Sequence, residues 1–439
     1  MKKINEEYSK PQLPERVIQF GEGGFLRGFA DWMLQKVNDA GLFCGSVVVV
    51  QPIERGLCAK LSEQDCLYTH VMRGLANGEP TVLREVVKVI SRCVEPYQDY
   101  DAFLALADQP DFRFIISNTT ESGIAYHPGD TLEDRPPVSY PAKLTALLYR
   151  RYRNGLDGFI LLPCELIDKN GENLKKIVLQ YAEEWELGAD FVQWLEEKNT
   201  FCNTLVDRIV TGRPTEDLGL PYIDEMANTS ELFHLWVIEA PESVQRELPL
   251  REAGLNVVWT DDLERYRTRK VRILNGAHTS LVPYAMLRGF QTVGECVADK
   301  EMRAYLEKCV YDEIIPTLDL PEEELKEYAD GVFERFANPY IRHQLSSIAL
   351  NSVSKFKVRV LPSVLEYKKR RGSYPQTLLR GFAALLDFYK TDMANDAADV
   401  MQFMKTRSLD EILANTDLWG EDLTCLKKEV MQFADTSEG

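Results

Sequence analysis

The run Ser46–Val50, SVVVV, is the feature that most constrains the fold of this chain. Successive side chains of a strand point to opposite faces, so this strand would be apolar on both. Such a strand suits a parallel sheet covered by helices on both sides better than an antiparallel sheet with one wet face. The run therefore predicts a doubly wound sheet between helical layers.

The first half of the chain alternates β-branched runs with segments of helical periodicity, which is typical of the α/β class. The other predicted strands are Arg16–Phe20, Glu85–Ile90, Phe112–Ser117 and Gly158–Leu162. The predicted helices are Phe25–Val37, Tyr100–Ala107 and Lys143–Tyr152.

After Trp259 the β-rich runs thin out, and we predict a domain boundary near Thr260 that divides the chain into residues 1–259 and 260–439. The second domain is expected to be mainly α-helical, with helices at Lys300–Ile315, Gln376–Tyr389 and Asp410–Ala414. Asp261 and Glu264 have the spacing of a helix N-cap with its reciprocal partner, and we expect a helix from there through Lys270 to about His278. The tail Asp435–Gly439 is expected to be frayed.

The formal net charge of −18 argues against a nucleic-acid or anionic-membrane partner, because a protein that binds phosphates would carry the opposite charge. No apolar run approaches the roughly 20 residues that span a bilayer, and the first residues lack the apolar core of a secretory signal. We expect a cytoplasmic protein.

The nine cysteines include no C-x-x-C pair, which favours reduced thiols. The five histidines form no H-x-x-x-H or H-x-H pair, so the spacing of zinc ligands is missing. The sequence therefore predicts no metal site.

The glycine-rich segment Phe20–Gly28 follows a predicted strand and opens a predicted helix. In a dinucleotide-binding fold, glycines at this point let the backbone turn tightly and approach the pyrophosphate. The match to G-x-G-x-x-G is incomplete, because Leu26 occupies the third glycine position and the next glycine is Gly28. The context still favours a dinucleotide cofactor over an ordinary turn.

The residue after the second strand normally helps to distinguish NAD from NADP, since an acid there binds the adenosine ribose. Here Ser46–Val50 ends in Gln51 and Pro52, with Glu54 and Arg55 just beyond. This segment leaves the choice between the two cofactors open.

A polar segment, Ser117–Gly123, directly follows another predicted strand. Ligands of such sheets bind outside the carboxyl ends of the strands, so these small polar residues are candidates for contact with the nicotinamide ribose. A turn followed by a helix cap is an equally good interpretation of the segment alone.

Lys270, Asn275 and His278 fall within an arc of about 140° on an ideal helix. A lysine can exchange a proton with a carbonyl or carbinol oxygen, and an asparagine amide can stabilise that oxygen as charge develops. Lysine and histidine on one helix face are more often simply solvated, so this assignment needs independent support.

Several motifs occur in an order that resembles the long-chain polyol dehydrogenases of the mannitol dehydrogenase family. They are G-x-G-G-F-x-R at Gly21–Arg27, T-E-x-G at Thr120–Gly123, V-D-R-I at Val206–Ile209, K-x-x-x-x-N-x-x-H at Lys270–His278, R-F-x-N-P at Arg335–Pro339, and a later Lys355. The resemblance covers nearly the whole chain.

The resemblance implies an N-terminal Rossmann-type domain followed by a helical domain, NAD as cofactor, and Lys270 as general acid/base with Asn275 and His278 orienting the substrate carbonyl. The segments IQFGEGGFLRGF, SNTTESGI, LPCELIDKNGENL and NPYIRHQL are most similar to members that reduce a keto sugar acid with NADH. The implied cofactor-binding residues are Phe20, Gly21, Gly23, Gly24, Phe25, Asn118, Thr119, Thr120 and Asp207.

The chain departs from the family at one motif. Mannitol dehydrogenases carry C-D-N-L-P where this chain has Cys164-Glu165-Leu166-Ile167-Asp168. The family's second carbonyl-stabilising asparagine thus falls on Leu166, and a site with two asparagines is not implied. The assignment of Asp207 also has a rival, since an aspartate next to Arg208 is commonly a local salt bridge.

A carboxylate substrate needs a cationic partner. The predicted substrate-binding residues are Arg335, Arg342 and His343, the last two on a segment expected to be helical, Asn338–Ser346.

Two other functions remain open at this point. A fructuronate or neutral polyol dehydrogenase of the same family would share the motifs. A nucleotide-binding regulator would need the glycine turn but no proton-transferring lysine. The sequence does not indicate an oligomeric state.

Overall fold

A computed structural model describes residues 1–434, so the predicted fraying of Asp435–Gly439 lies outside the described residues. The chain divides into two compact units. The first, called here the Rossmann unit, comprises Met1–Arg73 and Thr81–Leu263. The second, the helical unit, comprises Gly74–Pro80 and the chain from Glu264 onward.

The strands of the described residues form three sheets. In chain order they are β1 (Glu15–Phe20), β2 (Ser46–Val50), β3 (Tyr68–Ala76), β4 (Glu79–Val87), β5 (Ile90–Val94), β6 (Phe114–Ser117), β7 (Ile160–Pro163), β8 (Thr200–Phe201), β9 (Asn203–Asp207), β10 (Val210–Gly212), β11 (Asn228–Ser230), β12 (Leu235–Glu239) and β13 (Val257–Thr260).

The largest sheet has six strands in the order β5-β2-β1-β6-β7-β8. All of its neighbouring strands are parallel. This is the order of a dinucleotide-binding sheet, in which the strand order reverses between β1 and β6. All five residues of β2 are buried, as its apolar pattern predicts. The expected Rossmann-type fold is confirmed.

The predicted strand Glu85–Ile90 is wrong. Its first residues end β4, which belongs to a four-stranded sheet of order β10-β11-β3-β4. Its last residue begins β5, at the edge of the parallel sheet. Val87, Val89 and Ile90 are all buried, so one apolar run crosses between two sheets and reads as a single strand. The third sheet has the order β13-β12-β9.

The predicted helix Phe25–Val37 is interrupted. The structure has a short helix, Gly24–Arg27, and a second one, Ala30–Asp39. A Cβ on Gly28 would lie 2.8 Å from Asn228 Nδ2 and 2.9 Å from His70 Cε1. The helix is thus interrupted at a position where the neighbouring side chains leave no room for a Cβ.

The Rossmann unit contains further α-helices, which alternate with its strands along the chain. They are Ile4–Glu7, Cys58–Glu63, Tyr100–Leu104, Tyr140–Arg153, Asn170–Glu184, Ala189–Lys198 and Glu242–Glu247. A 3₁₀ turn, Ala105–Asp108, extends the third of these.

The helical unit contains no strand among its residues from Glu264 to Ala434, apart from isolated bridges. Its α-helices are Leu263–Lys270, Gly276–Met286, Val293–Ala298, Lys300–Glu307, Glu322–Phe336, Leu345–Ile348, Ser352–Arg359, Leu361–Arg371, Gln376–Phe388, Ala398–Thr406, Leu409–Ala414, Thr416–Trp419 and Lys427–Ala434. Segments Val271–Asn275 and Lys308–Ile314 are π-helical, and Ile315–Thr317 and Thr424–Leu426 are 3₁₀ turns.

Two helix predictions in this part of the chain need correction. Asn338–Ser346 is not one helix, because a helix begins only at Leu345 and the residues before it form a loop bridged to Thr292. The helix that carries Lys270 begins at Leu263, whose amide donates to the Glu239 carboxylate (2.9 Å). The first amide of this helix is therefore paired with Glu239, which ends β12. The local sequence around Asp261 could not indicate this distant contact. No described helix is long and apolar enough to cross a bilayer.

Candidate active site

The turn after β1 depends on glycine at one position. Gly21 has φ +114°, and a Cβ there would lie 2.8 Å from the carbonyl oxygen of Asn118. Its amide donates to the carbonyl of Val50 (3.0 Å), which ties the turn to β2. Because β1 lies between β2 and β6, the two polar segments predicted from sequence meet at the carboxyl end of the sheet.

Gly23 is the next glycine of the turn and precedes the helix Gly24–Arg27. A Cβ built on Gly23 meets nothing within 4 Å, so the backbone faces open space. A close approach of ligand phosphates to this backbone is sterically free, which is what a dinucleotide requires. The turn therefore fits a dinucleotide cofactor.

The two phenylalanines of the turn have different surroundings. Phe20 is fully buried and packs against Phe103 and Tyr140, so only its backbone faces the turn. Phe25 is partly buried and stacks on Phe29 with ring centroids 5.1 Å apart.

A buried pair lies beneath the glycine turn. Gln19 Nε2 donates to the carbonyl of Gly21 (3.0 Å) and to Asp31 Oδ2 (3.2 Å). Gln19 Oε1 and Asp31 Oδ1 are buried and have no hydrogen-bond partner in the described part of the chain. Burial raises the pKa of Asp31 to about 7, against the opposing effects of Gln19 and Arg27. Gln19 Oε1 and Asp31 Oδ1 are thus two acceptor oxygens with no donor between them. When Asp31 is protonated, its hydroxyl can donate a hydrogen bond to an acceptor oxygen, which supplies the missing donor.

The segment after β6 is held by Glu165, which the sequence did not single out. The Glu165 carboxylate accepts from the amide and hydroxyl of Thr119 (both 2.9 Å) and from the hydroxyl of Ser117 (3.1 Å). Asn118 Nδ2 donates to the carbonyl of Cys164 (3.1 Å). Burial raises the pKa of Glu165. Thr120 is exposed.

Gln51, at the end of β2, is used within its own loop. Its Nε2 donates to the carbonyl of Ile53 (3.1 Å), and its Oε1 accepts from the amide of Cys58 (3.2 Å). Glu54 and Arg55 are exposed. The side chains that this loop presents to solvent thus include one acid and one base.

Asp207 is buried at the end of β9. The next residue, Arg208, is also buried and donates to the carbonyls of Gly28 (2.8 Å) and Glu231 (3.0 Å). Its guanidinium lies over the Trp32 ring at 4.3 Å. Arg208 therefore supports the end of the glycine turn. The motif Val206–Ile209 did not predict this role, since Asp207 was its candidate residue.

In the helical unit, Lys270 ends one α-helix, Asn275 ends the π-helical segment, and His278 lies in the first turn of the next helix. A π-segment advances by a smaller angle per residue than an α-helix, so the arc expected from an ideal helix does not apply. Lys270 and Asn275 are half-buried and His278 is buried. Such segments often occur at functional sites.

The ring of His278 lies between two rings. It stacks on Phe336, with centroids 4.3 Å apart, and meets His343 edge-on at 4.9 Å. Its Nε2 is buried and has no hydrogen-bond partner among residues 1–434. Burial, and then the nearby His343, Arg335 and Arg359, hold the pKa of His278 well below its ordinary value. The neutral form of His278 is therefore favoured, and its buried Nε2 is unpaired within residues 1–434.

Two arginines, Arg335 and Arg359, act electrostatically on His278. Burial and Arg335 lower the pKa of His343, and burial and Arg359 lower that of Lys355. Arg342 is exposed and instead lowers the pKa of Glu295, after two backbone hydrogen bonds to that carboxylate. The structure thus brings Arg335 and His343 into the surroundings of His278, together with Arg359, which sequence reasoning missed. The spacing of Lys355 and Arg359, one helical turn apart, was the only available signal.

Leu166, where the family's second asparagine was expected, is 58% exposed. The nearby Asn170 is buried, and its amide group donates to the carbonyls of Pro163, Glu165 and Thr204. Asn170 is thus a structural residue. In residues 1–434, no three His, Cys, Asp or Glu side chains are grouped so that they could hold a metal ion.

Comparison with known proteins gives matches over nearly the whole chain. The family model described as the mannitol dehydrogenase Rossmann domain matches residues 15–252, and the model described as the mannitol dehydrogenase C-terminal domain matches residues 262–438. The altronate oxidoreductase of Shigella flexneri is 46% identical across 99% of this chain and 96% of its own length. That of Escherichia coli O9:H4 (strain HS) has the same values.

Two solved structures share the fold. One is a D-sorbitol dehydrogenase in substrate-free form, with a TM-score of 0.82, 23% identity, and coverage of 99% of this chain and 97% of its own. The other is the Pseudomonas fluorescens mannitol 2-dehydrogenase in a ternary complex with NAD and D-mannitol, with a TM-score of 0.70, 22% identity, and coverage of 97% and 92%. On the two domain matches and the full-length relatives, the chain belongs to the mannitol dehydrogenase family.

Proposed function

We propose that this protein is an NAD-dependent oxidoreductase that reduces the keto group of tagaturonate to give altronate. The activity follows the name of relatives that are 46% identical across nearly the whole chain. The observation that carries the sugar-acid substrate is the cationic surrounding of His278, where Arg335 and Arg359 both oppose protonation of the ring. A carboxylate is the natural counter-ion for such a group.

The Rossmann unit holds the cofactor, which supplies the hydride when bound. The proposed contacts are the backbone of the glycine turn, the segment after β6, and the acid that ends β9. The residues are Phe20, Gly21, Gly23, Gly24, Phe25, Asn118, Thr119, Thr120 and Asp207. The open space at Gly23 and the order of the parallel sheet support this assignment. NAD itself is the nucleotide in the P. fluorescens relative.

The helical unit handles the carbonyl oxygen. Reduction of a ketone creates negative charge on that oxygen, which must receive a proton. Lys270 is the proposed proton donor, and Asn275 donates a hydrogen bond to the same oxygen. His278 is neutral, and its free Nε2 orients the oxygen without adding a full charge.

The carboxylate end of the substrate needs a second set of contacts. Of the three residues predicted from sequence, the electrostatic surroundings of His278 favour Arg335 and His343 over the exposed Arg342. We keep residues 1–259 and 260–439 as the proposed functional domains, and the cytoplasm as the proposed location.

The test is a substrate panel followed by NADH absorbance. Tagaturonate, fructuronate and fructose are each offered with NADH and with NADPH. We expect kcat/KM for tagaturonate to exceed that for fructose by about 10- to 100-fold, because a charge-assisted carboxylate contact contributes roughly 1.5–3 kcal/mol. Equal turnover of fructose would identify a polyol dehydrogenase instead, and a preference for fructuronate would identify the other uronate.

A further inference from the structure

Arg359 lies beside the lysine motif. It ends the helix Ser352–Arg359, and its carbonyl oxygen would be only 3.0 Å from a Cβ on Gly276. Gly276 directly follows Asn275 and lies two residues before His278. The absence of a side chain at Gly276 thus lets the backbone of Arg359 pack against the centre of the motif.

The guanidinium of Arg359 has no counter-ion among the residues that the structure describes. It is half-buried and makes no hydrogen bond or ion pair with any residue of the described chain, 1–434. Burial lowers its pKa, and no acid opposes that effect. Its positive charge lowers the pKa of His278 and of Lys355, because it disfavours the charged form of each. A half-buried cation without a partner is costly, and an anion in the same place would offset that cost.

Two neighbouring cations, Lys355 and Arg272, already donate hydrogen bonds within the chain. Lys355 Nζ donates to the carbonyl of Ile348 (2.8 Å), and Arg272 donates to the Ser363 hydroxyl (3.3 Å) and lies near Glu366. Arg335 is not without a partner. Burial and Arg335 lower the pKa of His343, which disfavours its charged form. Unlike Lys355 and Arg272, Arg359 makes no side-chain hydrogen bond within residues 1–434, so its donors remain for a ligand.

We propose that Arg359 binds the carboxylate of the substrate and is the residue that makes the enzyme prefer sugar acids over neutral ketoses. This inference rests on the proposed function. A guanidinium can donate two parallel hydrogen bonds to one carboxylate, which also fixes the orientation of the sugar chain. Neutral ketoses lack this anchor and leave the arginine without a partner.

The experiment compares Arg359→Gln and Arg359→Lys with the wild type on tagaturonate and on fructose. We expect kcat/KM for tagaturonate to fall about 10- to 100-fold in Arg359→Gln, mainly through KM, with little change for fructose. Arg359→Lys should retain part of the preference, because it keeps the charge and loses the paired geometry. Arg371→Gln is the matched control, since Arg371 also ends a helix but is exposed.

The outcomes separate this inference from the proposed function. A wild-type enzyme that reduces no keto-uronate contradicts the function itself. A wild type that prefers tagaturonate, with the same preference in Arg359→Gln, overturns only the role of Arg359, as does an equal loss on both substrates. Melting temperature and NADH affinity report whether each variant is folded. If Arg359→Gln does not fold, Arg359→Lys decides, and an unchanged preference there overturns the inference.

Discussion

The glycine turn and the surroundings of His278 differ in what they offer a ligand. The turn is built from one short segment, 19–31, and two neighbouring strand ends, and it presents mainly backbone and empty space. The surroundings of His278 are built from side chains of four separate segments, at 278, 335–336, 343 and 359, and they present positive charge.

The difference matches the two kinds of ligand. A pyrophosphate can be bound by backbone amides wherever the chain turns tightly enough, so glycine placement is the main requirement. A substrate carboxylate must be distinguished from a hydroxyl, which takes a full charge in a partly desolvated place. The comparison predicts that changes in one region alter cofactor binding, while changes in the other alter turnover or substrate choice.

The largest expected effect is a loss of kcat on changing Lys270, which belongs to the helical unit and not to the glycine turn. Lys270→Ala should lower kcat by roughly 10²–10⁴-fold, the usual range for general acid/base catalysis, and leave NADH affinity unchanged. Steady-state kinetics and NADH fluorescence titration measure both quantities. The control is Lys326→Ala, an exposed lysine paired with Glu322. A near-normal kcat in Lys270→Ala would show that another group moves the proton.

The next effect concerns the open side of the glycine turn. Gly23→Val should raise the Kd for NADH at least about tenfold, because the new side chain fills the space that the cofactor needs. The melting temperature should not change, since a Cβ there meets nothing within 4 Å. Gly21→Ala is the contrast and should cost roughly 1–3 kcal/mol of folding stability at its positive φ. Unchanged NADH affinity in a folded Gly23→Val variant would contradict the assignment of the turn.

A smaller effect concerns the pair beneath the turn. Asp31 has a folded-state pKa of about 7, raised from 3.8 by burial, so its contribution to stability is present below the lower value and is lost as pH rises through about 7. Arg27 and Tyr68 are the other ionisable groups that interact with it.

Asp31→Asn should remove this dependence, because an amide cannot ionise. We expect the variant to gain on the order of 1–4 kcal/mol relative to the wild type between about pH 4 and pH 8. Urea unfolding of both proteins at several pH values measures the difference. A constant difference across that range would show that Asp31 stays ionised.

The smallest expected effect is none at all. If Lys270 supplies the proton, turnover should be unchanged after exhaustive chelation with EDTA. The glycine turn and the surroundings of His278 would then suffice for activity without a metal ion. Loss of activity that a divalent ion restores would add a metal to the proposed mechanism.

Local patterns identified several parts of this molecule in advance. The apolar run of β2 predicted its burial on both faces, and the position of Gly21 between strand and helix predicted a tight turn. The turn depends on the backbone freedom of one glycine, and the strand is buried on both of its faces. A local sequence pattern can indicate both features. The helical periodicity after Thr260 likewise predicted a helical region.

Predictions failed where distant segments decide the outcome. The run Glu85–Ile90 is divided between two sheets, and the predicted helix Phe25–Val37 is interrupted at Gly28, where Asn228 and His70 leave no room for a side chain. The helix that carries Lys270 begins where Glu239 accepts from its first amide. None of these partners lies near in sequence, so no local pattern contains them.

By itself the sequence determined the parallel sheet, the glycine turn and the motif Lys270–His278, because these follow from side-chain polarity and backbone freedom along one stretch of chain. Only the tertiary structure decided that His278 is neutral, that Glu165 holds the segment after β6, and that Arg359 rather than Arg342 lies beside the motif. The physical reason is that burial and electrostatic interactions depend on distances through space, and folding sets those distances between residues far apart in the chain.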